Sequence, residues 1–353
     1  MLAKLEEIKK SIFPINNYLT NKAYERIDSL TKPKGSLGRL EELAAKLFAI
    51  FDGRLPSDFN KAVYVFAADH GVTEEGVSAY PKEVTYQMVY NFLSGGAAIN
   101  VFARAVGARV FVVDVGVDHD FKEHKHLINK KIAKGTKNFA KSYAMSIEEA
   151  VSSILVGFYI AEEAIKRGYN LIAPGDMGIG NTTASSAILS VVTGYDIKSL
   201  VGTGTGIDEK TMLHKQKIIE NAIFLNAPQK DDPIDVLMKV GGLEIGAICG
   251  FILGAAYFKR PVVVDGFISS AGFILAYLFN KNVKDYAIFS HCSMEKGHRL
   301  FFDFIQTTPL LDLNLRLGEG TGAALSFPLI TAASKMFSEM ATFSEASVSE
   351  KLS

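Results

Sequence analysis

The chain has 353 residues whose 38 basic and 38 acidic side chains cancel, so it carries no net field to draw in nucleic acid or an anionic membrane, and a small-molecule partner is expected. At 48% hydrophobic and 22% charged residues the composition is that of a globular protein, with room for one large domain and a smaller appended one. The two cysteines, Cys249 and Cys292, stand in no CxxC or Cys/His pattern, which argues against a disulfide framework or a structural zinc site and fits a reducing cytoplasm.

The first residues, Met1 to Glu7, bring charge where a secretory signal needs its apolar core, so cytoplasmic localisation is expected. Residues 1 to about 50 read as helical, with Ser36 as N-cap of a helix through Leu37, Leu40, Leu43, Ala44 and Phe48. The apolar run Ala62 to Ala68 reads as a buried strand ending in Asp69-His70-Gly71-Val72. That Asp-His pair invites a metal or hydrolase reading. No second histidine follows within a few residues, and a hydrogen-bonded structural role is the expectation.

Val110 to Val115 is a second strand, Ile147 to Lys166 a helix, and Leu171 to Pro174 a third strand. The loop Gly175-Asp176-Met177-Gly178-Ile179-Gly180 then leads into a helix from Thr183 to Val192. Its glycine spacing fits neither the dinucleotide fingerprint nor a Walker motif. A helix that opens on Asn181-Thr182-Thr183 behind glycines is nevertheless a ready anion site. Gly202-Thr203-Gly204-Thr205-Gly206 is a second phosphate candidate, followed by a helix from Lys210 to Leu225. Taken alone, Lys215 on that helix reads as a solvated surface lysine.

Ala227 to Pro233 is a surface loop by composition. Val240 to Phe258 has the length and apolar character of a membrane span, but it contains Glu244 and five glycines. A buried helix is expected there, because spans of about 20 residues rarely hold a central acid. Val262 to Val264 and Ala287 to Ser290 are further strands. A Cys292 nucleophile with His291 or His298 lacks any visible oxyanion hole. Leu310 to Leu317 alternates through Leu311, Leu313, Leu315 and Leu317 and reads as a strand. It runs into Gly318-Glu319-Gly320-Thr321-Gly322, where a carboxylate among glycines is positioned for acid/base work. Residues 326 to 341 read as a closing helix.

Strands alternating with helices imply an α/β fold, a mostly parallel sheet with helices on both faces in a Rossmann-like, doubly wound arrangement. Ligands then bind beyond the carboxyl ends of the strands, where the glycine loops fall. Residues 1–50 with 326–353 are expected to form a small helical domain, and residues 51–325 the large α/β catalytic domain.

Taken together, several segments resemble one family across nearly the whole chain: Lys32 to Glu41, Ala68 to Val72, Glu75 to Pro81, Gly95 to Ile99, Met177 to Thr183, Gly204 to Gly206, Val264 to Phe267, Leu317 to Gly322 and Met340 to Phe343. The family is that of the nicotinate-nucleotide:dimethylbenzimidazole phosphoribosyltransferases of cobalamin nucleotide-loop assembly. The resemblance implies transfer of the phosphoribosyl group of nicotinate mononucleotide to a benzimidazole nitrogen, giving α-ribazole 5′-phosphate and nicotinate. It also implies a homodimer, and no cofactor or metal, since the pyridinium leaving group is already activated.

By the same resemblance Glu319 is the general base. Ser78, Tyr80, Gln87 and Leu317 line the base pocket, and Gly178, Gly204, Lys215 and Ser293 hold phosphate and ribose. Met177, Ile179, Gly180, Asn181, Thr182, Gly202, Gly318 and Gly320 complete the substrate-binding loops. The family usually carries glutamate where this chain has Asp176, which leaves the role of that carboxylate open. Two alternatives remain: the same fold acting on another acceptor (a different benzimidazole, a purine or a phenol), or a nucleotide-binding sensor without chemistry.

Overall fold

The computed structural model describes residues 1–56, 58–202, 206 and 208–349. The amino-terminal helices are α1 (Leu2–Lys10), α2 (Asn17–Ser29) and α3 (Arg39–Ile50), followed by β1 (Lys61–Ala68). Then come α4 (Val84–Ser94), α5 (Ala98–Ala105), β2 (Ala108–Gly116), β3 (Leu127–Asn129), α6 (Ile147–Lys166) and β4 (Leu171–Met177). The long crossover to β5 (Val262–Val264) holds α7 (Asn181–Thr193), α8 (Ile197–Leu200), α9 (Glu209–Asn226), α10 (Pro233–Val240) and α11 (Leu243–Tyr257). The chain closes with α12 (Phe267–Phe279), α13 (Val283–Tyr286), β6 (Ala287–Phe289), α14 (Lys296–Ile305) and α15 (Thr321–Glu339).

The six strands form one sheet in the order β3-β2-β1-β4-β5-β6, every pairing parallel. This is the doubly wound arrangement expected. β1 shows how the sequence produces it: successive side chains point to opposite faces. Ala62, Tyr64, Phe66 and Ala68 enter a core shared with α1, α6, α7, α11 and α12. Val63, Val65 and Ala67 enter the other, shared with α2, α3, α4, α5 and α15. A strand buried on both sides has no polar face to offer, which is why its sequence reads as an unbroken apolar run. The segment that could have passed for a membrane span is α11, fourteen of whose fifteen residues are buried, among them Glu244. Among the described residues no helix is long and apolar enough to cross a membrane.

Three local expectations need correction. Helix α3 is capped by Gly38, at φ 50°, and not by Ser36; a turn over residues 34–38 delays the helix start. β4 does not stop at Pro174 but continues through Gly175, Asp176 and Met177, pairing Asp176 with Phe66 of β1. The alternating run Leu310 to Leu317 is extended chain with a single bridge, Leu311 to His291, and no strand. Leu313 and Leu317 are about half exposed, so the alternation has no second sheet face to bury against.

Candidate active site

β1 and β4 are neighbours whose following helices go to opposite faces of the sheet. The crevice beyond their carboxyl ends is the switch point at which α/β sheets bind ligands. Asp176 and Met177 end β4 there, Gly266 and Phe267 open α12 just after β5, and His291 and Ser293 follow β6. Together with the segment from Asn314 to Glu319 they line a cavity of about 590 Å³.

Glu319 reaches this cavity from a constrained turn. Gly318, Glu319 and Gly320 all have positive φ (84°, 64° and 89°). Glycine accepts that conformation without penalty, whereas a glutamate resists it, and such a residue persists only where its surroundings hold it. Two contacts hold it. The Gly320 and Ala323 N–H groups donate to the two oxygens of buried Asp265 at 3.0 and 2.8 Å, so Asp265 caps the start of α15. The turn also lies on β4, where a β-carbon at Gly175 would fall 2.3 Å from the Glu319 carbonyl oxygen.

The Glu319 side chain is 5% exposed and accepts a hydrogen bond from the Ile99 N–H, in the first turn of α5, at 3.3 Å. Burial pushes its pKa up to about 7; the Ile99 hydrogen bond works against that shift and the Asp265 charge adds to it. A carboxyl poised near neutrality is suited to accept a proton. Asp176 is raised well above the ordinary carboxylate range, first by burial and then by the charges of Asp265, Glu244 and Glu319. Its Oδ2 accepts from Asn181 Nδ2 at 3.1 Å, and the shift favours its neutral form.

The opposite wall is suited to an anion. Gly180, at φ 94°, caps α7, so the helix opens with Asn181 and Thr182 at the cavity. Lys215 donates to Thr182 Oγ1 at 2.7 Å and is 3% exposed, so the solvated-lysine expectation is overturned. Burial lowers its pKa to about 8, while the Glu295 charge works to keep the ammonium. Helix start, hydroxyl and buried ammonium together provide donors and positive charge for a phosphate-sized anion.

The cavity wall brings together Tyr80, Asp176, Met177, Gly178, Ile179, Asn181, Thr182, Ser293, Leu317, Gly318 and Glu319. Gly180 and Gly320 stand just behind it as caps of α7 and α15. Ser78 accepts from the Tyr80 N–H at 3.2 Å, Gln87 lies exposed on α4, and Gly202 packs near Glu295 and Lys296. Gly204 lies outside the described residues. Sequence reasoning passed over Glu295 and Arg316, and over Val84 and Met88, which present one face of α4 to the cavity. The spacing of Val84 and Met88, one helical turn, was the available signal.

Cys292 is buried and its thiol is held above the usual range by that burial, which leaves it an inert side chain. His298 is pinned as a neutral ring: the Ser293 N–H donates to Nδ1 at 2.8 Å, and Nε2 faces Ser270 Oγ at 2.9 Å. Both side chains serve the local structure around Ser293.

Full-length relatives share this arrangement of sequence. A nicotinate-nucleotide–dimethylbenzimidazole phosphoribosyltransferase of Geotalea uraniireducens is 53% identical over 346 residues, 98% of each chain. One of Chlorobaculum parvum is 49% identical over 351 residues, 99% of each. The crystal structure of the Thermus thermophilus nicotinate-nucleotide–dimethylbenzimidazole phosphoribosyltransferase superposes with a TM-score of 0.91 at 44% identity, covering 96% of this chain and all of that one. A family model described as phosphoribosyltransferase (DBI_PRT) matches residues 12–348, and the chain belongs to that family.

Proposed function

We propose that Glu319 is the general base of the phosphoribosyl transfer from nicotinate mononucleotide to 5,6-dimethylbenzimidazole, the reaction this chain catalyses as its full-length relatives do. The carrying observation is that a buried carboxyl with pKa about 7 and the start of α7, whose Thr182 is bonded from behind by Lys215, border one cavity. The donor's 5′-phosphate is assigned to the first turn of α7, Thr182, Lys215 and Ser293. The acceptor ring is assigned to the apolar wall of Tyr80, Val84, Met88 and Leu317.

The chemistry then balances. The bond between ribose C1′ and the pyridinium nitrogen breaks, and its electron pair returns to that nitrogen, so nicotinate leaves neutral at the ring and needs no acid. One benzimidazole nitrogen supplies the pair for the new bond to C1′. The proton on its other nitrogen passes to Glu319, leaving a neutral base on the product. Attack opposite the leaving group converts the β-nucleotide into the α-riboside.

Asp176, whose carboxyl is biased toward its neutral form by burial, is a hydrogen-bonding neighbour rather than a second base in this scheme. We assign residues 1–50 with 326–353, of which 350–353 lie outside the described residues, to a small helical domain and a homodimer to the working enzyme, readings the family resemblance supports; the two unpatterned cysteines support a reducing cytoplasm. The test is nicotinate release and α-ribazole phosphate formation by wild type and Glu319→Gln. A fall of ~10²–10⁴-fold in kcat is expected of a lost general base. Retention of full rate by Glu319→Gln would remove the base assignment.

A further inference from the structure

Beneath the anion-binding turn lies a buried ion pair that the reaction scheme does not use. His70, two residues past the end of β1, places Nε2 2.6 Å from Glu244 Oε1 at the start of α11, and neither side chain has any exposed surface. Burial alone would discharge the imidazole. The Glu244 charge and hydrogen bond outweigh it and hold the His70 pKa above its usual value. Such a pair is costly: taking two charges out of water consumes most of their attraction, and apolar replacements are often as stable or more so. Its other polar atoms, His70 Nδ1 and Glu244 Oε2, have no hydrogen-bond partner among the described residues, so it is not a satisfied network either.

What the pair touches shows where that cost is placed. Three glycines enclose the imidazole. A β-carbon at Gly178 would lie 3.3 Å from ring atoms Cδ2 and Nε2 and 2.4 Å from the Ala68 carbonyl oxygen. One at Gly180 would lie 3.3 Å from the His70 Cβ, and one at Gly242 would lie 2.4 Å from Cε1. The ring is therefore the floor on which the Gly178-Ile179-Gly180 turn rests before α7 begins, and Gly242 closes it from the other side. The turn is fixed above as well, by the Ile179 N–H donating to Thr85 Oγ1 at 3.1 Å.

We infer that His70 and Glu244 form a positioning pair for the donor phosphate: the ion pair sets the height and tilt of the Gly178–Gly180 turn and so the aim of the first turn of α7. Neither residue touches substrate or reacting atoms. The inference rests on the assignment of the phosphate to that helix start, and it predicts a separation of donor from acceptor effects.

Two variants disturb the floor by different routes. Glu244→Gln keeps size and hydrogen bonding but removes the charge. Gly242→Ala keeps both charges and pushes a methyl group into the ring. Since a misplacement near 1 Å can cost on the order of 10²-fold, a partial shift of the turn is expected to raise KM for nicotinate mononucleotide about tenfold in each. KM for dimethylbenzimidazole should stay within about twofold, because the acceptor wall is built from other segments. Unchanged donor KM in a folded variant, or donor and acceptor KM rising together, overturns the inference.

Lys215→Met serves as the control. If it too leaves donor KM unchanged, the phosphate assignment itself fails; if it raises donor KM while the floor variants do not, only the positioning pair fails. Should neither floor variant fold, the wild-type enzyme decides. Saturation with nicotinate mononucleotide should shift the assigned ring ¹⁵N signals of His70, and their constancy overturns the proposal.

Discussion

Gly175 and Glu319 are in backbone contact: a side chain at position 175 would have to occupy space 2.3 Å from the Glu319 carbonyl oxygen and 2.6 Å from its carbonyl carbon. A residue in the sheet interior thereby fixes the location of a residue 144 positions later (319 minus 175). The obstructing atoms are backbone, so they cannot rotate aside.

Gly175→Ala is therefore expected to lift the Glu319 turn off β4. Overpacking of this kind costs about 1–3 kcal/mol. The displaced carboxyl should lower kcat by on the order of 10²-fold. Thermal melting and steady-state rates on the same preparation check both; a normal kcat would show that the turn is held from elsewhere.

The pH dependence follows from the pKa of Glu319, about 7. The base must be ionised to accept a proton, so kcat/KM should fall as pH drops through that value. Asp265→Asn removes a charge that raises it, and the acid limb should move to lower pH in that variant. A limb that stays in place would assign it to another group.

The same shift has a stability consequence. Folding raises the Glu319 pKa from 4.5 to about 7, so between those values the folded state binds more protons than the unfolded one. Stability contributed by this group is greatest below pH 4.5 and is lost as pH rises through 7. Glu319→Gln removes that loss and should be more stable than wild type at pH 8 by about 1–3 kcal/mol. The gain should shrink toward pH 5. Denaturant melts at the two pH values decide it, and a variant less stable at both would contradict the sign.

Lys215, with its pKa lowered to about 8 by burial, should lose charge on the alkaline side. Donor KM is expected to climb above pH 8 in wild type. A charged hydrogen bond is worth about 1.5–3 kcal/mol, so Lys215→Met should raise donor KM by on the order of 10- to 100-fold and abolish the climb. A climb that persists in the variant would trace to some other residue.

Asp176→Asn should be mild. A carboxyl pushed toward its neutral form by burial and neighbouring charges resembles an amide in shape, and activity at pH 7 should stay within about threefold. A loss near that of Glu319→Gln would make Asp176 a working base.

Much of the fold was legible because the central strands are buried on both faces and leave unbroken apolar runs, as in Ala62 to Ala68 and Val262 to Val264. β3 escaped notice: it spans three residues at the sheet edge, too short for any period to register. The Leu311–Leu317 alternation misled because period two marks extended chain, and its backbone hydrogen bonds to residues 289–294 give only one bridge, at Leu311, and no continuous ladder. Within the site, Glu319 and the Gly178–Thr182 turn were visible as glycine-framed motifs. Lys215 was named by the family resemblance alone and not by any local pattern, because its partner Thr182 lies 33 residues away and only folding joins them. The His70–Glu244 pair, separated by 174 residues, was beyond any local pattern.

Two helices, α7 and α15, each begin behind a left-handed glycine, Gly180 and Gly320, and both beginnings border one crevice. On the assignments made above, one start grips the group being transferred while the other carries the residue that relieves the newcomer of its proton. Substitutions along α4 and around Leu317 can thus remodel which aromatic ring is welcomed without loosening the hold on the sugar phosphate. A scaffold divided in this way can exchange acceptors over evolutionary time and keep a single donor.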